Sequence, residues 1–484
     1  MSQPVDHFAL LPLYAAAGTA ILAFLIDLFV ARRAAVPVVT ALGALATAVL
    51  ALVVGPEPGT FCTTGACSWV PAWPAAVTAA LFAALTVGVL ALSAPALRLG
   101  IAPAGEFCFL LACSMTGGVV VGYAGDLITL IVGLETLTLP LYVLVGLRRF
   151  AADERPLSTG ASASLTFFLI SVVSTAVTLL GAALNYAATG ALHLALLTPG
   201  SGPFRPLAGV GVALLVIGLA FKVAAVPLHA WAPATYDGAP VPIAAYLSTA
   251  SKLGGVLALA AVVAHLDARV VLAVLAVLTM TVGNLVALRQ TRMVRLLAWS
   301  SVAQAGYILA ALALGAPGVP AALAYAVFFV VLEFVAFGVV VALRLPGADG
   351  GTLLDHRGAG RRSPWLGAAL TFALAGLAGL PPGLAGLFAK VSVVSALVGA
   401  HWAWLAGVVV LNAVIALAYY VRVAASLYTL PPRIGFSVAD PVLLDAALHP
   451  RLPVARPVAA ALIVAVAVAV VLGFAPQLLF DALT

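Results

Sequence analysis

Fourteen apolar stretches, each long enough to cross a lipid bilayer as a helix, constrain this 484-residue chain more than any other feature. A spanning helix needs about 20 apolar residues, because it rises about 1.5 Å per residue across a hydrocarbon core of about 30 Å. Only helices and closed barrels satisfy the backbone in lipid, and long runs with little period-two alternation favour helices. The stretches lie near 8–31, 36–54, 72–93, 103–122, 126–147, 160–188, 207–226, 240–264, 270–288, 295–314, 319–343, 365–397, 402–427 and 454–475. The sequence therefore predicts an all-α polytopic membrane protein with about fourteen transmembrane helices.

The composition excludes an ordinary soluble protein. Hydrophobic residues make up 64% of the chain and charged residues 8%, whereas soluble domains carry roughly a quarter charged residues. The longest polar connections, near 344–364 and 431–456, are too short for a separate soluble domain. Membrane lipid is therefore the expected surrounding of most of the chain.

Arginine is distributed unevenly over the loops between the predicted spans. Seventeen of the 19 arginines lie in the odd-numbered loops or at their edges, and two, Arg205 and Arg269, lie in even-numbered loops. Because cytoplasmic loops carry an excess of basic residues, we expect the odd loops in the cytoplasm and both termini outside. The net charge of +6 then reflects orientation and contact with anionic lipid. We expect no nucleic-acid partner, since the arginines form no single basic patch.

The four cysteines divide between a loop and a span. Cys62 and Cys67 lie in the second loop, which this orientation places outside. A disulfide and two small unpaired residues fit the sequence equally well there. Cys108 and Cys113 lie within the fourth span and fit as small packing residues. No spacing typical of an iron–sulfur cluster or a zinc site occurs, so we expect no cofactor or metal in this chain.

All three lysines of the chain, Lys222, Lys252 and Lys390, lie in apolar or small-residue stretches rather than in loops. A charge at the bilayer centre costs roughly 2.5–3.5 kcal/mol on insertion scales. A buried amine near a carboxylate can nevertheless exchange a proton close to neutral pH, which arginine cannot do. The alternative is snorkelling of the amines to an interface. For Lys252, in LSTASKLGG, a generally polar surrounding supports that alternative.

Two of these lysines lie next to prolines that interrupt their spans. Lys222 precedes Pro227, and Lys390 follows Pro381 and Pro382 five spans later. Matching interrupted segments in two halves of a chain are typical of internal repeats that carry a transport path. The sequence thus predicts that helices 7 and 12 are broken, with a cation near each break.

Glu135, in the middle of the fifth span, is the best candidate to hold the charge of Lys222. Pairing makes burial tolerable for both groups. The alternative is an acid hydrogen-bonded to Thr136 or Thr138 without a cationic partner. We therefore expect either an ion pair or an isolated hydrogen-bonded acid in this span.

Two other titratable residues allow more than one interpretation. Glu333 lies deep in the eleventh span and could belong to the transport path. His229, after the break of the seventh span, either relays a proton near neutral pH or caps the helix and stacks on Trp231. No two histidines stand at ligand spacing within a span, which argues against a haem or quinone enzyme.

The segment FKVAAVPLHAWAPATYDGAPVPIAAYLSTASK (221–252) resembles membrane subunit N of bacterial NADH–quinone oxidoreductase, complex I. Four further segments agree with the resemblance: GLETLTLPLYVL, RLLAWSSVAQAGYIL, LAGLAGLPPGLAGLFAK and LNAVIALAYYVRVAASLY. The similarity runs from about residue 103 to 428, and the part YDGAPVPIAAYLSTASK separates subunit N from its antiporter-like sister subunits.

This resemblance implies fourteen helices with two inverted five-helix repeats that form proton half-channels. The implied division is 1–102 for helices 1–3, 103–264 for the first repeat, 265–428 for the second repeat, and 429–484 for the last loop and helix 14. It also implies hetero-oligomeric assembly with other complex I membrane subunits in the bacterial plasma membrane. NADH, FMN, iron–sulfur clusters and quinone would then belong to the partner subunits.

The resemblance further implies functional roles for Glu135 and for the three buried lysines. Two positions depart from the family pattern: Thr166 stands where a lysine is usual in the sixth helix, and Gln304 where a histidine is frequent in the tenth. The central relay could therefore run through water or through Glu333, or this copy could be weakened as a pump.

The predicted function is proton translocation driven by electron transfer in partner subunits, with protons passing from Lys222 through Lys252 toward Lys390 and leaving outward. One alternative is a subunit of a cation/proton antiporter or a membrane-bound hydrogenase. Another is a passive scaffold that fills the membrane arm, for which Thr166 is the one supporting feature.

Overall fold

A computed structural model describes residues 5–30, 34–63, 65–147, 157–429 and 453–483. Its helices are α1 (Leu11–Phe29), α2 (Ala35–Val54), α3 (Trp73–Arg98), α4 (Ala104–Tyr123), α5 (Leu127–Gly146), α6 (Leu157–Thr189), α7 (Arg205–Lys222), α8 (Trp231–Gly238), α9 (Val241–Tyr246), α10 (Lys252–Val263), α11 (Arg269–Ala287), α12 (Met293–Leu312), α13 (Val319–Leu343), α14 (Ala359–Arg362), α15 (Pro364–Ala378), α16 (Leu384–Gly399), α17 (Ala403–Tyr428), α18 (Arg456–Phe474) and α19 (Gln477–Leu483). Strands β1 (Thr60–Thr63) and β2 (Ala66–Trp69) form an antiparallel hairpin. A π-helical turn, Leu247–Ser251, joins α9 to α10.

The predicted fold class is confirmed. Every predicted span coincides with a helix, except that the eighth comprises α9, the π-helical turn and α10, and the twelfth comprises α15 and α16. Twelve of the described helical segments are long and apolar enough to cross a membrane. Seven of the arginines used to predict orientation lie outside the described residues, and the division into repeats stays a prediction.

The seventh and twelfth predicted spans are broken, as expected from the sequence. α7 ends at Lys222, and the next helix, α8, begins at Trp231. Between them Ala224 adopts the left-handed conformation with φ of 58°, which is costly for a residue with a β-carbon and often marks a functional segment. α15 ends at Ala378 and is followed by Gly379 with φ of 84°, where only glycine is free of that cost.

The centre of the bundle is α13, which is apolar on all sides and buried along most of its length. A helix of this kind has to be surrounded by protein or lipid. It packs against α9, α10, α12, α15, α16 and α18. The outer helices expose large apolar side chains, including Phe29, Val270 and Phe474, as expected of surfaces that face lipid or neighbouring subunits.

The second loop forms the β1–β2 hairpin, in which Cys62 and Cys67 are joined by a disulfide. Of the two alternatives that the sequence left open, the disulfide is therefore the one present. Trp69 of this hairpin stacks on Tyr123 with ring centroids 4.5 Å apart and donates its indole hydrogen to the carbonyl of Ala9. The hairpin thus packs across the ends of α1 and α4. Cys108 and Cys113 are free, as expected for packing residues.

Glycines allow α6 and α7 to approach at backbone distance. A β-carbon on Gly211 would lie 2.7 Å from the backbone nitrogen of Asn185, and one on Gly181 would lie 2.3 Å from that of Leu215. Small residues at such crossings permit the van der Waals packing that holds membrane helices together. This contact fixes the position of Lys222 relative to α6.

We predict that Gly211→Ala destabilises the protein by about 1–3 kcal/mol, the usual cost of overpacking. Gly209→Ala on the same helix is the matched control, because a β-carbon there meets nothing within 4 Å. Thermal unfolding of the two variants in detergent checks the difference. Equal melting temperatures for both would contradict the close α6–α7 contact.

Candidate functional site

Lys222 and Glu135 form a direct ion pair inside the bundle. Lys222 is the last residue of α7, and its Nζ lies 2.7 Å from Glu135 Oε1 on α5. The side chain of Lys222 is 4% exposed and that of Glu135 is 22% exposed. Thr136 and Thr138 donate instead to carbonyls of their own helix, so the isolated-acid alternative does not describe this site.

Hydroxyl groups complete the surroundings of this pair. Thr175 Oγ1 donates to Glu135 Oε1 at 2.7 Å. Lys222 Nζ also donates to Ser171 Oγ at 3.2 Å and to Thr138 Oγ1 at 3.3 Å. Hydroxyls donate and accept, so they can stabilise the pair in more than one protonation state.

The residues that α6 contributes to the surroundings of the ion pair were not predicted from the sequence. Thr166, at the position where the family usually has a lysine, donates to the carbonyl of Ser162 in its own helix. The residues that face the ion pair and α7 are hydroxyl-bearing: Ser171, Ser174, Thr175 and Thr178. Their spacing of three and four residues places them on one helix face. This spacing is the sequence feature from which they could have been predicted.

Lys252 is the first residue of α10 and is 2% exposed. Its Nζ donates to both the carbonyl and the hydroxyl of Ser301 on α12, each at 2.6 Å. The amine also lies 5.7 Å from the ring centroid of Phe329, a cation–π distance. Lys252 therefore reaches into the core of the bundle rather than to an interface.

Glu333 lies on α13 and is fully buried. Its Oε1 accepts a hydrogen bond of 2.9 Å from Ser248 in the π-helical turn. Ser248 Oγ in turn lies 3.2 Å from Ser301 Oγ. The structure therefore brings Glu333 into the surroundings of Lys252. Glu333 Oε2 is buried and has no hydrogen-bond partner within the described part of the chain.

Lys390, on α16, is 8% exposed and points back at the break between α15 and α16. Its Nζ donates to the carbonyl of Leu377 at 2.5 Å and lies 5.5 Å from the ring centroid of Tyr307. Leu377 is in the last turn of α15, where carbonyls lack helical partners and the helix dipole favours a cation. Among the described residues, no carboxylate lies within 4.0 Å of Lys390 or Lys252.

Gln304 lies on α12 beside Lys390, and both the nitrogen and the oxygen of its side-chain amide form hydrogen bonds. Its Nε2 donates to the carbonyl of Leu377 and to the hydroxyl of Tyr420, both at 2.9 Å. Its Oε1 accepts from the hydroxyl of Tyr325. Lys390 and Gln304 therefore share one acceptor, the carbonyl of Leu377.

His229 lies in the break after α7 and is partly buried. Its ring contacts Trp299 with centroids 5.1 Å apart. The expected stacking on Trp231 is not the contact present: Trp231 stacks on Phe167 at 4.6 Å and donates its indole hydrogen to the carbonyl of Phe221. The break is thus held by Trp231, and His229 lies at its edge.

A network of ion pairs connects α8 with α12 and the loop after α13. Arg292 pairs with Asp237 at 2.9 Å and with Asp349 at 2.6 Å. Arg344 also pairs with Asp349, at 3.1 Å. This network was not predicted from the sequence. Asp237 and Arg292, and likewise Arg292 and Asp349, lie more than 50 residues apart in the chain. The network ties α8 and the loop after α13 to the start of α12, the helix that carries Ser301.

Comparison with protein families shows one match. The family described as "NADH:quinone oxidoreductase/Mrp antiporter, TM" matches residues 124–416, more than half of the chain. That range includes Glu135 and all three buried lysines.

The chain is 59% identical to NADH-quinone oxidoreductase subunit N of Salinispora tropica, with 99% of both chains covered. It is also similar to a chain of respiratory complex I from Thermus thermophilus with bound aureothin, at a TM-score of 0.80 and 29% identity over 98% of this chain and 99% of that one. A chain of the Mrp complex from Dietzia has the same fold, at a TM-score of 0.82 but 22% identity over 99% of this chain and 96% of that one. This chain therefore belongs to the subunit N family of NADH–quinone oxidoreductase, the antiporter-like membrane subunits of complex I.

Proposed function

We propose that this chain translocates protons through a buried relay that begins at the Glu135–Lys222 pair and continues through Lys252 toward Lys390. The observation that carries the proposal is the 2.7 Å ion pair between Lys222 and Glu135. A buried pair of this kind adds little to stability compared with apolar packing. Its presence in a chain with only three lysines therefore points to a role in transport.

The ion pair supplies a reversible proton donor at the end of a broken helix. When Lys222 moves away from Glu135, its ammonium loses the carboxylate that stabilises it and releases a proton more readily. Ser171, Thr138 and Thr175 can hydrogen-bond the separated groups. Conformational changes in partner subunits would then drive transport by changing the separation of the two charges.

Transfer from the centre to Lys390 requires water in this proposal. Lys390 and Gln304 both donate to the carbonyl of Leu377, and a carbonyl that accepts from two sides cannot pass a proton from one to the other. Gln304 does not titrate. The broken helix nevertheless supplies free backbone polar groups around which buried water can collect.

The chain would act as one subunit of a proton-translocating NADH:quinone oxidoreductase, a translocase in class. NADH, FMN, iron–sulfur clusters and quinone would bind to partner subunits, which supply the electron transfer. We propose a location in the bacterial plasma membrane with both termini outside. The arginine distribution supports this orientation, as does the Cys62–Cys67 disulfide, because disulfides persist on the oxidising side of the membrane.

Two other functions are less well supported. A subunit of a cation/proton antiporter shares the architecture, but the Mrp likeness is 22% identical against 59% for the subunit N relative. A passive scaffold would not need charges inside the bundle, and buried ammonium groups are costly to retain without a function.

We predict that Lys222→Met in the assembled complex abolishes most NADH-driven proton pumping, because the relay loses its first exchangeable proton. Glu135→Gln should have a similar effect, since the amine is left without its carboxylate. Proton uptake by inverted membrane vesicles, with assembly checked on native gels, measures both. Unchanged pumping by Lys222→Met would contradict the proposed role.

The orientation is testable through the disulfide. We predict that intact cells treated with a membrane-impermeant reductant become reactive to a charged, impermeant maleimide at Cys62 and Cys67. The double variant Cys62→Ser/Cys67→Ser controls for labelling of other cysteines. Labelling restricted to inverted vesicles would place the hairpin in the cytoplasm and reverse the proposed topology.

A further inference from the structure

We propose that Ser301 and Ser248 form a two-hydroxyl proton wire that joins Lys252 to Glu333. This inference rests on the proposed function and deepens it, because it makes Glu333 the carboxylate that shares a proton with Lys252. The two serines would be the residues through which that proton passes.

The wire is continuous in the structure. Lys252 Nζ lies 2.6 Å from Ser301 Oγ, Ser301 Oγ lies 3.2 Å from Ser248 Oγ, and Ser248 Oγ lies 2.9 Å from Glu333 Oε1. All four residues are buried, with Lys252 the most exposed at 2%. Bulk water therefore does not compete with these hydrogen bonds.

The donor and acceptor capacities fix the direction of the wire. An ammonium only donates and a carboxylate only accepts, whereas each serine hydroxyl rotates to donate one hydrogen and accept another. Lys252 donates to Ser301. The Ser248 hydroxyl is placed to donate to either Ser301 Oγ or Glu333 Oε1, and because it has a single hydrogen, Ser301 donates to Ser248 whenever Ser248 donates to Glu333. Every hydroxyl in this arrangement both accepts from the previous group and donates to the next, which is the requirement for proton transfer along a chain.

The proton transfer from Lys252 to Glu333 conserves both protons and charge. Lys252 gives one proton to Ser301 Oγ, Ser301 gives its original proton to Ser248 Oγ, and Ser248 gives its original proton to Glu333 Oε1. The amine and the carboxyl end neutral, and both serines end as hydroxyls. No other reactant is needed. Because burial penalises a charged pair, the ionic and neutral forms of the pair lie closer in free energy here than in water.

Two further observations point to a site at this position. Ser248 belongs to a π-helical turn, Leu247–Ser251, immediately before Lys252, and such turns occur frequently at functional sites. Glu333 Oε2 is buried with no partner in the described part of the chain, which leaves one carboxyl oxygen free to bond a further group of a proton path. Lys252 and Glu333 thus provide a titratable centre that does not depend on a titratable residue in α6 or at the position of Gln304.

The test compares Ser248→Thr with Ser248→Val in the intact complex. The two side chains have the same shape, so both impose the same packing cost, but only threonine keeps the hydroxyl. We expect Ser248→Thr to keep NADH-driven proton pumping near the wild-type rate per assembled complex. We expect Ser248→Val to lose as much pumping as Glu333→Gln, and the double variant to lose no more than Glu333→Gln alone, since both changes interrupt one path.

Two controls separate the wire from general damage. Ser300→Ala removes a hydroxyl next to Ser301 that bonds to Tyr420 outside the wire, and it should pump normally. Ser301→Ala interrupts the wire from a different helix and replaces Ser248→Val if that variant fails to assemble. A carboxyl stretching band in the infrared spectrum, assigned by its loss in Glu333→Gln, should change during turnover in Ser248→Thr but not in Ser248→Val.

The outcomes distinguish this proposal from the broader function. Equal pumping by Ser248→Val and Ser248→Thr would overturn the wire, even if Glu333→Gln is impaired. Normal pumping by Glu333→Gln, together with loss of pumping by Lys222→Met, would overturn the wire and leave the proposed function standing. Normal pumping by Lys222→Met would remove the proposed function itself.

Discussion

A lysine ammonium inside a lipid bilayer is tolerated only where the protein surrounds it with acceptors, and the fold meets this requirement three times. Lys222 has the carboxylate of Glu135. Lys252 has the carbonyl and hydroxyl of Ser301. Lys390 has a backbone carbonyl at the end of a half-helix. Only Lys222 is paired directly with a carboxylate, so the electrostatic surroundings of the three amines are not equivalent.

The broken helices make these sites possible. An unbroken α-helix uses its carbonyls for its own hydrogen bonds, whereas the last turn of a half-helix has carbonyls to spare. Lys390 uses one of them, and it packs against Gly379, where a β-carbon would lie 2.9 Å from the lysine side chain. A larger residue at the break would therefore displace the side chain of Lys390.

The sequence predicted what depends on local patterns and missed what depends on contacts between distant segments. Apolar run lengths gave the spans, and prolines next to Lys222 and Lys390 gave the two breaks. The role of Ser301 had no local signal, since it depends on α10 and α12 packing together 49 residues apart in the chain. Ser171 was missed for a related reason, because hydroxyl residues are frequent in membrane helices and usually bond to their own helix.

The most direct test of the central claim is the charge state of the three amines during turnover. With three lysines in the chain, nitrogen NMR of a complex in which this subunit alone carries ¹⁵N-lysine should resolve a separate Nζ signal for each. The account predicts that these signals change between ammonium and neutral amine when NADH is supplied. Three ammonium signals that stay unchanged throughout turnover would contradict it.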